Sequence, residues 1–185
     1  MEQTILECLE ANPIIAAVGD DKWNKALQSP VPVIFYMSAD LGTLAKRIGE
    51  AHEKKKYLLV HLDLARGIGK DKEGIRFLAK MGIDGILSTK PALIRAAKEE
   101  GLFTVQRFFA VDSGGAANIA ELSSSARADL MEIMPGVVDK VIRLYAEKGF
   151  SVIAGGLIET KKEVMAAVGS GATAVSTGTE ELWYL

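Results

Sequence analysis

The stretch Phe150-Ser-Val-Ile-Ala-Gly-Gly-Leu-Ile158, with Gly171-Ala-Thr-Ala-Val-Ser-Thr-Gly178 behind it, decides how the rest of the chain is read. Ser151 to Ala154 is a short apolar run of strand type that stops at Gly155-Gly156. Thr160 and Glu163 then stand at capping-box spacing, so a helix starts there, and a second apolar run, Ala172 to Val175, stops at Ser176-Thr177-Gly178. Glycine lets a backbone approach a ligand closely, and amide groups ahead of a helix attract anions. Two such turns side by side make a phosphate cradle, which in a barrel of alternating strands and helices lies at the seventh and eighth strand ends. The pair therefore predicts six earlier strand–helix units.

The preceding chain supplies them. Apolar runs at Ile14–Val18, Val31–Met37, Tyr57–Leu62, Ile83–Leu87, Leu102–Phe109 and Leu130–Met134 read as strands. Between them, helical spacing recurs at Leu41, Leu44, Ala45 and Ile48, at Ile75, Leu78 and Ala79, at Leu93, Ile94 and Ala97, and at Val138, Val141, Ile142 and Tyr145. Ser38, Asp40, Asp71 and the Ser88-Thr89-Lys90-Pro91 cluster are helix-start signals, and Gly101 is a stop. Gly114 to Ser125, rich in Gly, Ala and Ser, predicts only a short helix after Asp112-Ser113. Leu182 and Trp183 are expected to pack the closing segment onto the barrel. The expected fold is a small (β/α)8 barrel of the TIM type, one domain over 1–185; an open doubly wound parallel sheet would show the same alternation.

Composition narrows the function classes. The chain has 185 residues, 49% apolar and 25% charged, which suits a globular domain with one sizeable core. Formal net charge is −2, so any RNA site must be a local patch; the densest basic run, Lys54-Lys55-Lys56, reads as a solvated helix end. A lone Cys8 makes neither a disulfide nor a zinc site. The opening Met1-Glu-Gln-Thr-Ile-Leu-Glu7 is acidic where an export signal would be basic, and no apolar run has the length of a membrane span, so a cytoplasmic location is expected.

In a barrel, ligands meet the polar residues where apolar runs stop. Those are Asp63, Ser88, Lys90, Gln106, Arg107 and Glu132, facing Gly155, Gly156, Ser176 and Thr177. A phosphate held by the glycine and serine turns, with carboxylates across the pocket accepting hydrogen bonds from hydroxyls, describes a site for a small phosphorylated polyol. Asp63 and Glu132 at strand ends are costly unless partnered, and the structural alternative is a pairing with Arg107. Lys90 fits the exposed first turn of its helix as well as a pocket. His61, on the strand face of Asp63 two residues on, fits a hydrogen-bonded core histidine as well as a ligand contact; His52, amid charges, reads as solvated. The residues offer no metal cluster and no Ser–His–Asp or Cys–His constellation.

With those residues in view, the chain resembles the bacterial glycerol uptake operon antiterminator (GlpP) family. The resemblance is carried by Asn12-Pro-Ile-Ile-Ala-Ala-Val18, His61-Leu-Asp-Leu64 with Gly67 and Asp71, Asp84-Gly-Ile-Leu-Ser-Thr-Lys90, Gln106-Arg107 with Asp112-Ser113, Glu132-Ile-Met-Pro-Gly136, Ile153-Ala-Gly-Gly-Leu-Ile158, Val175-Ser-Thr177 and Leu182-Trp183. It implies a TIM-barrel regulator that binds glycerol 3-phosphate as effector, with phosphate contacts at Gly155, Gly156, Ser176 and Thr177 and the polyol side at Asp63, Lys90, Arg107 and Glu132, needs no cofactor, and acts on the leader mRNA of glycerol-utilisation genes to prevent termination. A homo-oligomer is left open, and no RNA surface is legible. The alternative from the residues is an enzyme of isomerase, aldolase or prenyltransferase type on a small phosphorylated substrate, with Asp63 or Glu132 as general base and Lys90 as Schiff-base former.

Overall fold

In a computed structural model that describes residues 4–110, 119 and 126–185, eight parallel strands close into one barrel in sequence order, β1 to β8. They are β1 (Ile14–Val18), β2 (Val33–Tyr36), β3 (Tyr57–His61), β4 (Gly85–Ser88), β5 (Phe103–Phe109), β6 (Leu130–Met134), β7 (Val152–Gly155) and β8 (Ala174–Thr177). The barrel is closed by Ile14 and Ile15 of β1 pairing with Val175 and Ser176 of β8, which excludes the open sheet. Of the expected helix at Gly114 to Ser125 only Ile119 is among the described residues, and Asp112 and Ser113 are not.

The helices begin where the sequence places their caps. Asp40 and Asp71 accept from the Gly42 and Gly74 amides at the starts of α3 (Leu41–Glu53) and α4 (Lys72–Lys80). Pro91 opens α5 (Pro91–Glu99), α6 (Asp139–Glu147) follows β6, and the Thr160–Glu163 capping box opens α7 (Lys161–Gly169). Two further helices precede them: α1 (Ile5–Ala11), which places Ile5 and Leu9 in the barrel's inner core, and α2 (Trp23–Gln28). Leu182 and Trp183 join the outer core between strands and helices, and the Trp183 indole donates to the Thr177 carbonyl at 2.9 Å.

Strand alternation divides the core in two. Outward residues such as Ile34, Val60, Ile86 and Val175 meet the helices, while inward residues stack inside the barrel. Tilted strands in an eight-stranded barrel step by about one residue per strand, so side chains from alternate strands share a level. The registers put Ile15, Leu59, Val105 and Ile153 at one apolar level, then Phe35, Leu87, Glu132 and Ser176 above it, then Ala17, His61, Arg107 and Gly155 at the C-terminal mouth. Polarity enters the barrel only at those top two levels, and mostly on the side of β5 to β8.

One basic run departs from its expected place. Lys54 and Lys55 are exposed, but Lys56 is buried, and its ammonium donates to the Ser29 and Val31 carbonyls at 2.6 Å each. Burial lowers its pKa to about 8. The long side chain reaches back to satisfy carbonyls at the end of α2, so a run of like charges in sequence is not a run of like environments.

Candidate functional site

At the C-terminal mouth lies a cavity of about 420 Å³, lined by Ala17, Lys22, Met37, Arg107, Glu132, Met134, the turn Gly156–Glu159, and Ser176 to Thr179. Its floor is a buried polar network. The Glu132 carboxylate accepts from the Arg107 Nε at 2.6 Å through one oxygen and from the Ser176 hydroxyl at 2.6 Å through the other. All three residues are buried, and their alternation points them inward because Arg107, Glu132 and Ser176 stand within strands, one or more residues short of the strand end. Arg107 therefore pairs with Glu132, the structural partnership the sequence had offered to either carboxylate, and the pair still faces the cavity.

The two glycines of the β7 turn do different jobs. A side chain at Gly155 would fall on the Glu132 carboxylate and the Ser176 hydroxyl, so this glycine leaves room for their hydrogen bond and is not itself part of the cavity wall. Gly156 does line it, with φ of 75°, and the next residue, Leu157, holds φ of 59° while 67% exposed. A non-glycine residue held at positive φ is uncommon and costs of order 1–3 kcal/mol, and such strain clusters at ligand-clamping turns. The helix start beyond is already occupied: Glu163 accepts from the amides of Glu159 and Thr160 at 2.9 Å each, and the Thr160 hydroxyl accepts from the Glu163 amide. What faces the cavity is thus the turn ahead of α7, with the helix N-terminus itself closed by its capping box.

Thr177 lines the wall with its hydroxyl engaged, donating to the Ile158 carbonyl at 2.7 Å and accepting from the Thr179 amide at 3.1 Å. That bond ties the β8 end to the β7 turn. Beside them stands Lys22, which the reading of strand ends passed over. It closes the short 3-10 turn Asp20–Lys22 after β1, and its ammonium donates to the Gly178 carbonyl at 2.7 Å. The turn is anchored through Asp20, which accepts from the Tyr36 hydroxyl at 2.7 Å and from Arg47 at 2.9 Å. The signal was available: Gly19-Asp20-Asp21-Lys22 is the polar segment where the first strand stops.

Two expected polyol contacts lie elsewhere. Asp63 belongs to a 3-10 turn, Leu62–Leu64, beyond the end of β3, so it does not share the face of His61. One of its oxygens accepts from the Ser88 hydroxyl at 2.7 Å, the other from the amide and hydroxyl of Thr89 at 2.8 and 2.9 Å. Burial opposes the charge, but these hydrogen bonds outweigh it and hold the Asp63 pKa below its ordinary value. Lys90 is exposed at the N-cap of α5, where its amide donates to the Ser88 hydroxyl. Neither Asp63 nor Lys90 lines the cavity. Ser88 and Gln106 are buried with outward parity. His52 pairs with Asp84 at 2.9 Å. His61, in contrast, is buried with inward parity at the level of Arg107.

Comparison with known proteins places this geometry. Residues 14–183 match the family model described as "Glycerol-3-phosphate responsive antiterminator". A protein named "Uncharacterized protein YgcP" from Escherichia coli strain K12 is 33% identical over 184 residues, covering 98% of this chain and 96% of its own. The glycerol uptake operon antiterminator regulatory protein of Listeria monocytogenes superposes with a TM-score of 0.87 at 31% identity, over 93% of this chain and 95% of that one. A glycerol uptake operon antiterminator-related protein of Thermotoga maritima does so with a TM-score of 0.81 at 34% identity, over 92% and 96%. A barrel of the right size, matched from the first strand to the closing tryptophan, makes this chain a member of the glycerol-3-phosphate-responsive antiterminator family.

Proposed function

We propose that the cavity is the effector site, that its ligand is glycerol 3-phosphate, and that ligand binding controls the action of this chain on leader mRNA. The observation that carries the ligand half is the cavity's division: Glu132, Ser176 and Arg107 are sunk in its floor, while Lys22, Gly178 and the Gly156–Leu157 turn stand at its rim. The Arg107–Glu132 pair is neutral as a unit, so Lys22 is the cation left to meet a phosphate at the rim, where the exposed Glu159 at the end of the same turn is the opposing charge. The floor offers spare acceptor lone pairs on Glu132 and Ser176 to ligand hydroxyls. A phosphorylated triol spans the two regions, whereas free phosphate reaches only the rim.

The response follows from linkage. A ligand shifts a conformational equilibrium only through its differential affinity for the two states, and a hundredfold preference is worth about 2.7 kcal/mol. The Gly156–Leu157 turn is the element suited to carry it, since Leu157 lines the cavity and is also largely exposed on the outer surface. Binding of a leader transcript is measured by filter retention or fluorescence anisotropy with and without glycerol 3-phosphate. The reading expects tighter RNA binding with ligand, and it fails if ligand binds but leaves RNA affinity unchanged. The same family assignment makes a regulator, not a catalyst, the reading for the barrel; incubation with small phosphate esters is expected to give no turnover.

A further inference from the structure

His61 is buried inside the barrel mouth, and its Nδ1 is shut off from solvent with no hydrogen-bond partner. Buried polar atoms are nearly always partnered, so an unpartnered one calls for an explanation. The residue occupies the same level as Arg107, with Ala17 and Gly155 as the other two members. Ala17 and Arg107 of that level line the cavity, while Glu132 and Ser176 fill the room that Gly155 leaves. Met37 follows Tyr36, which pairs with Val60, and so stands beside His61 in register; it lines the cavity too, and its unbranched side chain repacks easily.

From this placement we infer that His61 is a ligand-binding residue: once Met37 turns aside, its Nδ1 hydrogen-bonds a hydroxyl of the bound polyol and so selects hydroxylated over merely phosphorylated ligands. The inference rests on the effector site proposed above and extends it to ligand selection. A neutral imidazole carries one donor and one acceptor, and a hydroxyl can answer either. Burial first, and Arg107 second, hold the His61 pKa below its ordinary value against the opposing pull of Asp63 and Glu132, so the ring is neutral near pH 7. A core histidine with a satisfied ring would have no such spare valence.

Calorimetric titration of the wild type, His61→Leu and His61→Gln with inorganic phosphate, glycerol 3-phosphate and dihydroxyacetone phosphate tests this, with thermal melting of each unliganded protein. Wild type is expected to prefer glycerol 3-phosphate over the other two. His61→Leu is expected to bind glycerol 3-phosphate about tenfold or more weakly, to bind inorganic phosphate unchanged, and to melt no lower than wild type, because it removes an unsatisfied group. His61→Gln, which keeps a donor and an acceptor, is expected to recover part of the lost affinity. Unchanged glycerol 3-phosphate affinity in His61→Leu, or a lowered melting temperature with all three ligands weakened alike, overturns the inference and leaves the effector site standing. Absence of any binding to wild type overturns both.

Discussion

Asp63 and Glu132 are two acidic residues at the ends of apolar runs, facing the same mouth of the barrel, and they do opposite things. Asp63 sits past the end of its strand, where alternation no longer sets direction, and its carboxylate is consumed by Ser88 and Thr89 of the next loop. Glu132 sits within its strand, is forced inward by parity, and forms the cavity floor with Arg107 and Ser176. The first closes a βα turn; the second builds a site. A strand-end carboxylate is thus a ligand candidate when it lies inside the ladder, and a loop fastener when it lies beyond it.

Substitutions that separate stability from binding would break or sharpen that contrast. The largest effect is expected from Glu132→Ala, which leaves the Arg107 guanidinium buried without its partner and costs about 3–5 kcal/mol, measured by urea denaturation, with loss of glycerol 3-phosphate binding. Next is Gly155→Ala, whose methyl collides with the Glu132–Ser176 pair; overpacking of this kind costs about 1–3 kcal/mol, and the same variant loses affinity because the floor must shift. Asp63→Asn keeps the shape but weakens acceptance from three donors, at a cost of about 1–2 kcal/mol, and affinity for ligand should stay within twofold of wild type. A loss of ligand affinity in Asp63→Asn as deep as that in Glu132→Ala would erase the distinction.

The smallest effect is a pH dependence. Because the Asp63 pKa is lower in the folded chain than in the unfolded one, its contribution is complete above the unfolded value of about 3.9 and is lost as pH falls toward the folded value. The stability gap between wild type and Asp63→Asn should therefore narrow in acid, in denaturation curves recorded between neutral pH and pH 3. A gap independent of pH would mean that the carboxylate's charge is not what the Ser88 and Thr89 hydrogen bonds hold.

The same physical distinction explains what was legible in the sequence. The eight strand–helix units were, because each apolar run is four to eight residues long and flanked by a cap or glycine signal, whereas strand order was not, and only the β1–β8 pairing separates the barrel from an open sheet. The β8 strand nonetheless reaches Thr177 rather than stopping at Val175, since small hydroxyl residues continue a ladder as well as valine does. That two-residue extension turns Ser176 inward, onto Glu132, instead of leaving it in a loop. The β3 strand errs the other way: it stops at His61, so Asp63 leaves the face that its spacing from His61 suggested. Gly156, Arg107, Glu132, Ser176 and Thr177 were named and do line the cavity, Gly155 shapes it from behind, and Lys22 was missed because its turn is only three residues long and merges into α2. Which of two neighbouring glycines touches a ligand depends on a Cβ direction, and no pattern of residue types encodes that.

The most direct test of the account is calorimetric titration with glycerol 3-phosphate of three proteins side by side: wild type, Gly156→Asp and Asp63→Asn. The account predicts one site per chain in wild type, the same affinity in Asp63→Asn, and loss of binding in Gly156→Asp, whose carboxylate would occupy the rim proposed for the phosphate. Binding that survives in Gly156→Asp but disappears in Asp63→Asn would place the ligand on the β3–β4 side of the mouth and contradict it.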